Sequence, residues 1–378
     1  MAKKSTTRTA PAKKQHPHAD GRKKLNLALQ GGGAHGAFTW GVLDRLLDEE
    51  DVHLQAISGT SAGAMNAAVM LNGLEAGGRE GAKKQLAQFW GEISGVSKLI
   101  GPWLQAPFEA NWGQMIGYES NLAQSWIDTL TRTFSPYELN PLNINPLREV
   151  LEGMIDFDRL RSTETLDIYV TATNVETGHP RVFQRDEVDV NVLLASGCLP
   201  FIFQAVEIDG VPYWDGGYMG NPAIWPLYYN TPCGDVMLVQ INPLMRSGTP
   251  RHAADIVNRL NEISFNASLI AEMRAIQFVR NLIERGVLSE DEYRNVNMHM
   301  VEPPPELQVL NASSKMNANW EFFVFLKEMG REEMDKWLKK HKKMIGVNST
   351  LDINKTFLDK PHHAPRVLQK QAKDKPHA

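Results

Sequence analysis

Leu54-Gln55-Ala56-Ile57-Ser58-Gly59-Thr60-Ser61-Ala62-Gly63-Ala64-Met65-Asn66-Ala67-Ala68 decides the reading of this chain. The apolar run at 54–57 predicts a strand. The small-residue run at 64–68 predicts a helix. Between them, Gly59-Thr60-Ser61-Ala62-Gly63 has the form G-x-S-x-G. A strand that turns sharply into a helix around a serine pushes the hydroxyl out of the fold, and small flanking residues are needed because the backbone is crowded there. Ser61 is therefore a candidate nucleophile, provided a base reaches it.

Upstream, residues 25–30 read as a short apolar strand, and a helix follows near residues 38–50, with Trp40, Leu43 and Leu47 spaced for one face. Between them stands Gly31-Gly32-Gly33-Ala34-His35-Gly36. Such a loop offers unobstructed backbone N–H groups at the positive end of a helix. Those groups suit the oxygen of a tetrahedral intermediate. They equally suit a pyrophosphate: Gly31-x-Gly33-x-x-Gly36, with Asp51 about 20 residues on, fits the dinucleotide fingerprint. A serine elbow on the neighbouring strand favours the oxyanion use.

A nucleophilic serine needs a base, ordinarily a histidine oriented by a carboxylate. Ser61, Asp215 and His299 stand in the order Ser…Asp…His. In the fold built on that order, however, the elbow follows several strands and the oxyanion loop lies well upstream. Here one strand, one loop and one helix precede Ser61. Of the 11 histidines, His53, His179, His252, His299 and His341 read as surface or strand residues. The carboxylate option is Asp215, in Tyr213-Trp214-Asp215-Gly216-Gly217. The aromatic pair ends a strand, and Gly216 and Gly217 let the backbone fold tightly beside the carboxylate. Alone, D-G-G is a common turn.

The glycine loop, the elbow and Asp215-Gly216-Gly217, in this order, resemble the patatin-like phospholipase family. So does the context: Ala195-Ser196-Gly197-Cys198-Leu199-Pro200, then Phe203, then the strand into Asp215, with Asn221-Pro222 beyond. The likeness spans roughly residues 25–242. It implies a three-layer α/β/α fold with a central, mainly parallel sheet. It also implies a lipid acyl hydrolase that works through a Ser–Asp dyad and an acyl-enzyme, with no cofactor and no metal. Ser61 would be the nucleophile and Asp215 the base. Gly31, Gly32 and Gly33 would be the oxyanion donors, joined by Ala62 by analogy with other serine elbows. Gly36, Gly59, Gly63, Gly216 and Gly217 complete the motif glycines. An aspartate at its reference pKa of about 3.9 is a weak base for a hydroxyl. The oxyanion donors would then carry much of the catalysis, each contributing about 2.7–4 kcal/mol. One position departs from the pattern. Where the family often has Arg or Lys after G-G-G-x, this chain has His35, charged only part of the time at a reference pKa near about 6.5. His35 reads either as a substrate or oxyanion contact or as packing for the loop. It leaves phospholipid, lysophospholipid and neutral ester substrates open.

The rest of the chain sets bounds. With 378 residues, 42% apolar and 22% charged, the composition is that of an ordinary globular protein with ample core. Cys198 and Cys233 make neither a disulfide framework nor a zinc spacing and read as buried thiols. There is no apolar run of about 18 residues and no secretory-type stretch in residues 1–24, so a cytoplasmic location is expected. Residues 1–24 carry +7 and residues 355–378 carry +4, which leaves −15 on residues 25–354 of the overall −4. Both ends read as disordered basic tails, suited to peripheral contact with an anionic membrane or merely solvated. No nucleic-acid partner is expected.

Within the hydrolase domain at 25–354, residues 93–145 form an aromatic-rich insertion containing Trp103, Phe108, Trp112, Tyr118, Trp126, Phe134 and Tyr137. It reads as a cap on the sheet or a wall for a greasy substrate. Residues 254–345 read as largely helical. Apolar positions from Ile256 to Ile283 recur at helical spacing, with Gly286 at the end. Residues 320–338 suit core packing or a membrane surface. Further strands at 166–175, 181–184, 205–208, 235–241 and 296–301 give the alternation of an α/β layered fold. Two readings from other classes stand beside the hydrolase: a nucleotide-binding oxidoreductase using the glycine loop, and a non-catalytic lipid-binding protein on a hydrolase fold.

Overall fold

The computed structural model describes residues 23–99 and 134–358, apart from residues 247, 291, 305, 306 and 308–311. Trp103, Phe108, Trp112, Tyr118 and Trp126 of the aromatic insertion, and nearly all of both tails, lie outside the described residues.

Strand β1 (Lys23–Leu29) sets the layers. Successive strand side chains point to opposite faces. Leu25, Leu27 and Leu29 enter one core, and Ala28 enters another. Asn26, on the same face as Ala28, donates to Leu227 O and Thr231 Oγ1 at 3.2 and 2.8 Å. A strand covered on both faces belongs to the middle of a parallel sheet. The other strands are β2 (Val52–Thr60), β3 (Asp167–Asn174), β4 (Pro180–Gln184), β5 (Val206–Ile208), β6 (Val211–Asp215), β7 (Asp235–Val239) and β8 (Asn297–Val301). The sheet runs β5-β6-β3-β2-β1-β7-β8, with β4 also on β3. β3, β2, β1, β7 and β8 are mutually parallel, while β4, β6 and β5 add antiparallel pairings.

The helices are α1 (Gly36–Leu46), α2 (Ala62–Leu99), α3 (Pro136–Leu139), α4 (Pro146–Met154), α5 (Phe157–Ser162), α6 (Val190–Ser196), α7 (Trp225–Tyr229), α8 (Ala253–Glu284) and α9 (Trp320–His341). α1, α2, α4, α5, α6 and α9 cover one face of the sheet; α7 and the second half of α8 cover the other. This is the expected three-layer α/β/α architecture.

The departures are local. The helix expected at 64–68 is the start of a much longer run, α2, interrupted at Gly77 and Gly78, the latter at φ +61. Lys23 and Lys24 are not tail: they pair with Val52 and His53 in the sheet. At the other boundary, the turn Asn354–Leu358 buries Phe357, so the ordered chain continues past 354. The expected apolar face of α8 is buried only in its second half, at Met273, Ile276 and Ile283. Ile256, Leu260 and Ile263 are exposed, because the first half extends beyond the sheet core.

α9 buries Phe323, Leu326, Met334 and Trp337 against the core, which answers the membrane-surface reading of 320–338. No helix among the described residues is long and apolar enough to cross a membrane. α9 lies on α1 through facing glycines. A Cβ on Gly41 would sit 2.9 Å from Arg331 N, and one on Gly330 would sit 3.0 Å from Val42 N. In an ordinary helix Gly→Ala stabilises by about 1 kcal/mol. Here Gly41→Ala is expected to destabilise by about 1–3 kcal/mol, the usual cost of overpacking. Urea unfolding checks the sign, and a more stable variant would refute this packing.

Candidate active site

β2 ends at Thr60 and α2 begins at Ala62, so Ser61 alone makes the turn, at φ 53. A left-handed non-glycine residue costs about 1–3 kcal/mol and persists only where its surroundings dictate it. Here they do. The Ser61 N–H donates to Ser196 Oγ at 2.8 Å, and that hydroxyl donates to Thr171 O at 2.7 Å. The Ser61 carbonyl accepts from Met65 N at 3.0 Å. Gly59 and Gly63 are required because the chain crosses itself. A Cβ on Gly59 would lie 2.7 Å from Ala64 N, and one on Gly63 would lie 2.8 Å from Gln30 O. Gly31 and Gly36 are required because the glycine loop rests on the elbow: their Cβ atoms would come within 2.8 Å of Ser61 Cβ and 2.6 Å of Ala62 Cβ.

The glycine loop leads into a 3-10 turn, Gly33–His35, with Gly33 at φ 58. Buried amide side chains fasten its inner side. Gly31 N–H donates to Asn221 Oδ1 at 2.7 Å, and Gly31 O accepts from Asn242 Nδ2 at 2.8 Å. Gln30 Oε1 accepts the N–H groups of Ile241 and Asn242 at 2.8 and 2.9 Å. The Gly31 amide therefore already has an acceptor inside the protein. This corrects the expectation that all three loop amides face an oxyanion. Among the described residues, no acceptor takes the amides of Gly32 and Gly33.

Asp215 closes β6, which runs antiparallel to β3, and pairs with Ala172. Its N–H donates to Cys198 O at 2.8 Å, and its carbonyl accepts from Thr173 Oγ1 at 2.8 Å. Its Oδ1 accepts from Gly217 N at 2.6 Å. Gly216 packs against the Thr171 carbonyl, and a Cβ on Gly217 would lie 2.9 Å from Oδ1 and 3.3 Å from the Phe265 ring. The residue is 2% exposed. Burial raises its carboxyl to about 7, although the Gly217 amide, the Ser61 side chain and the Lys315 charge each favour ionisation. The sequence reading took Asp215 at its reference value, as a weak base. In the fold its carboxyl instead stands near neutral pH, because it is sealed from water.

The imidazoles are elsewhere or neutral. His35 is 4% exposed and shares a hydrogen bond with Ser314 Oγ at 2.7 Å. Burial, aided by the charges of Lys315 and Arg246, lowers it to about 3, so it is no part-time cation. His299, midway along β8, bonds Asp235 Oδ1 at the start of β7 through Nε2 at 2.9 Å and Thr350 Oγ1 through Nδ1 at 2.9 Å. The glycine loop lies where parallel β1 ends, so a Ser61–Asp215–His299 triad is not assembled. Asp51 lies at the wrong end for a ribose: it precedes β2 and pairs with Lys342 at 2.5 Å. Cys198 and Cys233 are buried thiols, as expected.

The sequence profile of the patatin-like phospholipases matches residues 27–232, from β1 through α7 and across all three motifs. The chain belongs to the patatin-like phospholipase family. The general chemistry of that family is serine ester hydrolysis of lipid acyl groups. Two solved structures are similar at low level. VipD from Legionella pneumophila shares 17% identity over 97% of this chain and 80% of its own, with a TM-score of 0.38. The ExoU–SpcU complex from the type III secretion system of Pseudomonas aeruginosa gives 17%, 93%, 60% and 0.32. A search of curated proteins gives no match. The assignment rests on the family profile alone.

Sequence reasoning missed several residues that complete the site. Gln30 and Asn242 anchor the glycine loop, and Gln240 and Asn242 after the apolar β7 are the signal that such a network was coming. Lys315 had no signal in the sequence.

Stability carries a checkable signature of Asp215. Between the ordinary carboxyl value of 3.8 and about 7, the folded protein keeps a proton that the unfolded chain releases. Stability contributed by this group therefore falls as pH rises through that window. Asp215→Asn removes the penalty. At about pH 8 the variant should melt above wild type, with the gap closing below about pH 4. Equal Tm values at the higher pH, by scanning calorimetry, would contradict the buried-carboxylate reading.

Proposed function

We propose that this protein hydrolyses fatty-acyl esters of lipids through a dyad of Ser61 and Asp215. The observation that carries the reading is the Ser61 side chain acting on a buried carboxyl raised to about 7. Beside it are two loop amides without an acceptor among the described residues.

The Asp215 carboxylate takes the Ser61 proton as Oγ attacks the ester carbonyl. The carbonyl oxygen becomes negative and is received by the amides of Gly32 and Gly33, with that of Ala62 at the N-terminus of α2. Collapse breaks the ester C–O bond, the proton passes from Asp215 to the departing alcohol, and an acyl-Ser61 remains. Water then gives a proton to Asp215 and attacks the acyl carbon. The second collapse releases the fatty acid and returns the proton to Ser61 Oγ. His35, neutral and held by Ser314, shapes the loop in this scheme and transfers no proton. The basic ends, +5 over 1–22 and +4 over 355–378, would add attraction to an anionic membrane bearing the substrate.

A fluorophosphonate probe should label wild type and leave Ser61→Ala unlabelled. Ser61→Ala and Asp215→Asn should each lower kcat on a p-nitrophenyl ester by at least about a thousand-fold. Wild-type kcat/KM should climb with pH through about 7, as Asp215 ionises. An unlabelled, folded wild type would exclude the nucleophile and favour a lipid-binding protein without turnover. Separately, removal of both tails should reduce co-sedimentation with anionic liposomes; unchanged binding would exclude the tails as the membrane contact.

A further inference from the structure

A short helical segment, Ala312–Met316, lies beyond the residues shared with the family and closes over the glycine loop. The Lys315 carbonyl fills the space where Gly33 would carry a side chain. Lys315 Nζ donates to Asn242 Oδ1 at 2.5 Å, and the same Asn242 donates to Gly31 O at 2.8 Å. The amine is thus fixed one side chain away from the loop that rests on Ser61, and its charge reaches both Asp215 and His35.

Arg246, in the chain after β7, adds a second positive charge that acts on His35 and Lys315. Facing them is Glu262 of α8, 2% exposed, paired with Arg246 at 2.7 Å and with Arg259 at 3.1 Å. With His35 neutral, the charges of Lys315, Arg246 and Arg259 stand against those of Glu262 and, once ionised, Asp215, which leaves an excess of one positive charge. Desolvated ammonium is costly unless an anion meets it.

We propose that Lys315, with Arg246 beside it, receives a phosphate-type anionic group of the substrate and makes the site selective for negatively charged acyl esters. This rests on the dyad reading. The ester is cleaved as described above, and Lys315 transfers no proton. It binds through ionic hydrogen bonds, the strong class.

The test compares a monoacylglycerol phosphate with the same monoacylglycerol, so that the phosphate is the one difference. Wild type should favour the phosphate ester in kcat/KM. Lys315→Met should reduce that ratio about ten-fold or more, and Lys315→Arg should keep most of it. The groups facing the amine are Glu262, Arg246 and Asp215, with His35 neutral. Burial lowers Lys315 to about 8, so the wild-type preference should fade as pH rises through that value. This readout does not depend on the variants folding. Inorganic phosphate should compete with the anionic ester and lose potency in Lys315→Met. An unchanged ratio in Lys315→Met, or a wild type without preference, overturns the proposal. Competition by inorganic phosphate without any preference between the esters would mark a free-anion site and overturn it as well. Fluorophosphonate labelling of Ser61 separates the two failures: a labelled enzyme lacking the preference refutes the role of Lys315, whereas an unlabelled one refutes the dyad.

Discussion

The left-handed backbone of Ser61 is the constraint on which the rest of the site depends. A serine at φ 53 between a strand and a helix is unfavourable by itself, so its neighbours must enforce it. Ser196 does this from α6 by accepting the Ser61 amide, and Gly31 does it from the loop after β1 by lying against Ser61 Cβ. Each enforcer carries its own requirement. Ser196 must reach the Thr171 carbonyl of β3, and Gly31 must be held by Asn221 and Asn242. One strained residue thereby ties together β1, β2, β3, α6 and the segments after β6 and β7.

Asp215 presents the opposite physics: a favourable backbone environment around an unfavourable side chain. Its strand is well paired, but its carboxyl is sealed from water and ionises only near neutral pH. The Gly217 amide and the Lys315 charge limit that penalty without removing it. A carboxyl so placed lowers stability once it ionises. His35 shows the same burial acting on a base: desolvation removes its charge, and Lys315 and Arg246 reinforce the effect. The cation near the loop is therefore a lysine from position 315, not the histidine within the loop.

Some of this was legible because local chemistry dictates it. G-x-S-x-G between an apolar run and a small-residue run encodes its own turn, since the glycines are demanded by atoms only a few residues away, as with Gly59 and Ala64 N. Strand positions in β1, β7 and β8 followed from apolar runs within a residue or two, while the run at 54–57 marked only the middle of β2. The errors lie where distant contacts decide. Lys23 and Lys24 looked like tail because charge was weighed before pairing, yet β2 offers them partners. The face of α8 looked uniformly buried, yet the sheet core reaches only its second half. Gly31 looked like a donor to substrate, yet Asn221, 190 residues on, takes its amide.

By itself the sequence determined the elbow, the glycine loop, the D-G-G turn and their order along an α/β chain, because each rests on short-range sterics of small residues. It also pointed to Asp215 ahead of a histidine as the expected partner of Ser61, since the elbow follows only one strand, one loop and one helix. Only the tertiary structure decided what those groups are electrically. The ionisation of Asp215, the neutrality of His35 and the arrival of Lys315 beside them depend on burial and on charges more than 70 residues apart in sequence, which no local pattern encodes.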